Sequence, residues 1–171
     1  MGYGEVWWFF RDEGIESLDS AVAALRDAGL VAGNPATGTP QIIDDNGVQV
    51  PWDAAEVGRR WFAGELITAQ LWLNPETDVL VEFVRPARLL TFDLDGMTTA
   101  EARFTVFAVL NAALSLAGTQ AVVTDKNLPD RGEELLEAPY AALRFKPDLL
   151  VSVAAEGRYA VEVGSNSWLS A

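Results

Sequence analysis

The chain of 171 residues has no cysteine and no histidine. Without cysteine there are no disulfides, thiolate nucleophiles, iron–sulfur clusters or cysteine-ligated structural zinc. Without histidine there are no Ser-His-Asp or Cys-His relays, no imidazole bases and no ordinary catalytic zinc sites. Carboxylate, lysine and tyrosine chemistry survive these exclusions, as do the oxygen-ligand metals Mg²⁺ and Ca²⁺. Basic residues are also scarce: 12 against 25 acids, a formal charge of −13. That imbalance disfavours direct contact with nucleic acid or an anionic membrane and favours a basic protein partner. No cationic, apolar leader opens the sequence, so the expectation is a cytoplasmic protein.

Half of the residues are hydrophobic, enough for a real core in one domain spanning 1–171. The strongest local pattern runs from Leu89 to Thr124. It reads as a strand to Asp95, a turn at Gly96, a helix over 98–117 and a second strand, 121–124. Thr98 and Glu101 form a capping box at the helix start, and Gly118 is expected to close the end. Phe104, Val106, Phe107, Val109, Leu110, Leu114 and Leu116 leave only a thin stripe of small or weakly polar residues, Thr105, Ala108, Ala112 and Ser115. A helix this apolar belongs inside, flat on a sheet, with the small stripe allowing close approach or facing a covering loop. Its run is too short to span a bilayer, which needs ~20 residues.

Elsewhere, residues 5–11 alternate large apolar side chains on both faces and read as an interior strand. An amphipathic helix follows over 15–30, then a breaker-rich loop over 32–40. Asn46-Gly47 predicts a hairpin with a type I′ turn between Ile42-Ile43 and Val48 to Val50. Asp53 caps a short helix, and three strands over 65–95 form an antiparallel meander. An acidic helix over 130–138 and a closing hairpin across Glu156-Gly157 complete the order β-α-ββ-α-βββ-α-β-α-ββ. That order is an α+β pattern, a two-layer domain with a largely antiparallel sheet packed on the helix 98–117.

One tetrapeptide carries catalytic chemistry on paper. The strand ending Phe92-Asp93-Leu94-Asp95-Gly96 resembles the first motif of the haloacid-dehalogenase phosphohydrolases. The resemblance implies Asp93 as nucleophile, Asp95 as acid and base, Thr124 and Lys146 as phosphate ligands, and Mg²⁺ as cofactor. It also implies a parallel doubly wound sheet. Ser165 stands where that family has its last metal-binding acid. The other reading of the same residues is a strand edge with outward acids, a glycine turn and a helix cap.

The expectation that fits the whole composition is a non-enzymatic protein-binding module with no cofactor. Immunity proteins against toxic nucleases and secretion chaperones are of this kind, acidic bacterial proteins that neutralise or escort a toxin or effector. The contact residues expected from sequence are Glu133, Glu134 and Glu137 on the acidic helix, with Trp72 and Trp168 as exposed aromatic anchors.

Overall fold

The computed structural model describes residues 4–11, 18–128, 143, 145–165 and 167–170. The expected order of elements is observed wherever the chain is described. It runs β1 (Glu5–Phe10), α1 (Leu18–Asp27), β2 (Gln41–Ile43), β3 (Gln49–Pro51), α2 (Ala54–Ala63), β4 (Ile67–Asn74), β5 (Thr77–Val84) and β6 (Leu89–Asp93). Then come α3 (Thr99–Ser115), β7 (Thr119–Asp125), β8 (Leu149–Val153), β9 (Tyr159–Val163) and a 3₁₀ turn at Trp168–Ser170. The expected helix 130–138 and the start of the first expected helix lie outside the described residues.

Apolar side chains on both faces of β1 require cover on both sides, and the topology supplies it. The strands form one nine-stranded sheet in the order β3-β2-β4-β5-β6-β1-β7-β8-β9, with β1 near the middle between β6 and β7. Every named strand pairing is antiparallel. Val6, Trp8 and Phe10 enter a core shared with the buried residues of all three helices, including Leu25, Trp61 and Val109. Trp7 and Phe9 point the other way, into a second core with Leu89, Val123 and Leu150, against which Leu143 and Phe145 pack. Full burial of one such large side chain stabilises by about 1.5–3 kcal/mol. β1 therefore contributes to both cores, as do its neighbours β6 and β7 and, beyond β7, β8.

The caps are largely as expected. Asp53 accepts from the backbone N–H of Ala55 and Glu56 at 2.9 and 3.0 Å, and Gly64 closes α2 at φ 76°. Thr98 and Glu101 make the reciprocal capping box. The end of α3 differs from expectation: the helix stops at Ser115 with Leu116 as an extended cap, ahead of Gly118. Thr119, the first residue of β7, braces the helix end. Its hydroxyl donates to the Ala113 carbonyl, which also accepts the Leu116 N–H at 3.1 Å, and accepts from the Trp8 indole at 3.0 Å, so the helix end is tied to β1 inside the core.

The hairpin turn differs too. A type I′ turn needs positive φ at both central residues, and only Gly47 has it. Gly47 N–H instead donates to the Asp44 carbonyl, Asp44 N–H to the Val48 carbonyl, and the Asp44 carboxylate takes the N–H of Asn46 and Val48. The closing hairpin repeats the backbone pattern with Ala154, Gly157 and Arg158. What the two turns share is the glycine at positive φ, Gly47 at 77° and Gly157 at 85°; the Asp44 carboxylate adds two N–H bonds that Ala154 has no side chain to make.

Gly4 is needed for a close approach. At φ 71° it lies against the end of β7, where an added Cβ would come within 2.3 Å of the Asp125 carbonyl oxygen. Its own carbonyl accepts the Leu94 N–H at 3.0 Å. Among the described residues no helix is long and apolar enough to cross a membrane.

Candidate functional site

Asp93 ends β6, and its carboxylate accepts the Asp95 N–H at 2.8 Å, while Leu94 between them is fully buried. Gly96 at φ 82° then turns the chain toward the capping box of α3. This local folding accounts for the tetrapeptide as a strand exit. Thr124 is buried, and its hydroxyl donates to the Glu5 carbonyl at 2.9 Å, which commits it to holding β7 on β1. Lys146 is exposed. The parallel sheet implied by the phosphohydrolase resemblance is not built: β6 runs antiparallel to both β5 and β1. The physical reason is the connections, since β5 and β6 are joined by the tight corner Arg85 to Arg88, too short for a parallel crossover.

The same end of the sheet gathers acids. Glu5 pairs in register with Asp93 on one side and Asp125 on the other. Burial raises the Glu5 carboxyl above its ordinary value, the Trp7 indole N–H pulls it back down, and the charges of Asp93, Glu82 and Asp95 push it up again. Asp148 is raised by burial as well, with the Lys126 N–H lowering it at 3.3 Å and Asp125 opposing. Among the described residues, no group of three or more acids is arranged to hold a metal ion.

The anchors expected from sequence are placed differently. Trp72 stands between Leu71 and Leu73, both of which face the helix-side core, so its side chain lies on the opposite side of the sheet. It is half-buried, and its indole nitrogen is covered; its backbone bridges Val31 at 2.7 and 3.0 Å. Trp168 packs against the helix-side core, its carbonyl accepts from Arg103 at 3.2 and 2.7 Å, and its indole lowers Asp148. The two tryptophans are thus neither exposed nor on one surface. Glu133, Glu134 and Glu137 lie outside the described residues.

The exposed aromatics are others, and the most coherent set lies on α3. The helix buries its small residues, Ala102, Thr105, Ala108, Ala112 and Ala113, together with Val106 and Val109. It turns Phe104, Phe107 and Leu114 outward at 45, 49 and 36 % exposure, with Leu110 half-buried beside them. The large side chains of the expected buried helix are therefore partly outside. The reason is space: the strands beneath already fill the core with Trp8, Phe10 and Phe92, and α3 fits over them only by presenting its small stripe. The signal that could have found this is the stripe itself, since the side allowing closest approach is the one that packs.

The outward face is free of charge. No acidic or basic residue occurs from Phe104 through Thr124. On the same side of the sheet, Tyr159, Val161 and Val163 of β9 are 60, 51 and 53 % exposed, in register with Val153, Val151 and Leu149. Both sets are exposed apolar side chains on a chain of charge −13. In the comparisons with known proteins, no family model, no curated protein and no solved structure matches this chain.

Proposed function

We propose that this chain is a non-enzymatic protein-binding module that neutralises or escorts a basic partner in the cytoplasm, most closely in the manner of an immunity protein against a toxin. The observation that carries the reading is the outward face of α3, where Phe104, Phe107 and Leu114 are exposed while alanines are buried. Aromatic and aliphatic anchors at the centre of a docking surface supply most of the affinity in protein pairs. The excess of acids supports a basic partner, because it steers such a partner into encounter and speeds association. A secretion-chaperone role rests on the same two features and differs in what happens to the partner afterwards.

The test is affinity capture from a lysate of the cells that make the protein, with wild type and a Phe107→Asp/Leu114→Asp variant run in parallel at low and high salt. The expected result is a basic protein retained by wild type, weakened by salt, and lost with the variant although its circular dichroism is unchanged. A partner retained equally by both forms would refute the α3 surface. An acidic partner indifferent to salt would refute the charge argument.

A further inference from the structure

The two edges of the sheet are unlike. β3 has three residues and ends in Pro51, and proline has no N–H to offer a further strand. β9 has five residues, Tyr159 to Val163, with no proline or lysine and every residue exposed. Its outward-facing backbone groups follow from the hairpin. Ala154 N–H donates to the Arg158 carbonyl at 2.7 Å and Gly164 N–H to the Asp148 carbonyl at 3.0 Å, so Arg158 and Gly164 bond toward β8. By antiparallel alternation Ala160 and Glu162 do the same, and the N–H and C=O groups of Tyr159, Val161 and Val163 face the open edge.

We infer that β9 pairs antiparallel with β9 of a second copy of this chain, joining two sheets edge to edge about a two-fold axis at Ala160. In that register the open-edge groups of Tyr159 meet those of Val161 of the second copy, and the reverse. The small Ala160 sits opposite itself, at a non-hydrogen-bonded position where strands come closest. Arg158 lies opposite Glu162 of the second copy, twice by symmetry, so the strand is complementary in charge to itself. On the helix side, Tyr159, Val161 and Val163 of both copies meet and remove one another from water. Arg158 also pairs with Glu156 in its own turn, where the two side chains are 84 and 52 % exposed. A guanidinium has five donors and serves both acids. The surface is separate from the outward face of α3, and the inference stands independently of the proposed function.

The experiment is sedimentation velocity on the purified chain over a concentration series, with charge reversals at the two paired positions. Wild type is expected to dimerise. Glu162→Arg places like charges opposite each other at two sites and weakens the dimer about tenfold, and Arg158→Glu/Glu162→Arg restores it. Val161→Pro, which removes an outward N–H, gives a monomer with unchanged circular dichroism, and Phe107→Asp leaves the dimer intact. A wild-type monomer at every concentration, a dimer indifferent to Glu162→Arg, or a double reversal that fails to restore association would each overturn the inference.

Discussion

Thr77 donates its hydroxyl to the Glu101 carboxylate at 2.6 Å, tying the start of β5 to the first turn of α3 across 24 residues of sequence. The same carboxylate accepts the N–H and hydroxyl of Thr98 at 2.8 and 2.7 Å, so one acid both caps the helix and fastens it to the meander.

These bonds hold Glu101 at about 2, with Thr77 the largest cause and Thr98 next, against an ordinary value of 4.5. A carboxylate depressed on folding contributes stability that is present above its unfolded value and lost as pH falls through the folded one. The acid limb of unfolding therefore contains a component between about pH 4.5 and 2 that belongs to Glu101. Thr77→Ala is expected to lose about 1 kcal/mol at neutral pH and to move the Glu101 titration upward. Carboxyl-detected NMR titration of the two forms checks this; an unmoved Glu101 would contradict it.

The packing of α3 predicts an inverted pattern of core sensitivity. Ala112→Leu introduces volume at a buried position of α3, and is expected to cost about 1–3 kcal/mol. Phe107→Ala removes a much larger side chain yet is expected to stay within about 0.5 kcal/mol, because Phe107 is half in water. Urea denaturation at constant slope measures both. The opposite order would mean that the large residues are the buried ones.

Glu5 has the reverse sign to Glu101. Its carboxyl is raised, first by burial and then by Asp93, Glu82 and Asp95, so its stability contribution is present below the ordinary value of 4.5 and lost as pH rises through the folded value. At neutral pH the charged form is a burden on the fold. Glu5→Gln keeps an acceptor for the Trp7 indole and removes that charge, so it raises Tm at neutral pH. The gain shrinks as acid protonates the wild-type residue. Calorimetry of both forms across pH decides it, and equal Tm values at neutral pH would show that the charge is fully solvated.

Much of the architecture was legible because local chemistry is read in sequence order. Two-sided apolar alternation marked β1 as interior, Asp53 and Thr98 marked helix starts, and the three strands over 65–95 read as an antiparallel meander. Where neighbours distant in sequence compete, the reading went astray. Leu116, not Gly118, closes α3, and Thr119 just beyond it is held by the indole of Trp8, 111 residues away. Gly4 shows nothing special in sequence; only the end of β7 passing against it makes a side chain impossible there.

The candidate surface divides the same way. The acidity of the whole chain, its lack of histidine and cysteine, and the uncharged run from Phe104 through Thr124 belong to the sequence alone. Which side of that run meets water does not, because an almost uniformly apolar helix has no polar face to orient it. The volume of the side chains already on the sheet decided it, turning the alanines in and Phe104, Phe107 and Leu114 out. Likewise the composition counted six tryptophans, but only strand register and packing placed Trp72 and Trp168 half inside and left Tyr159 on the open edge.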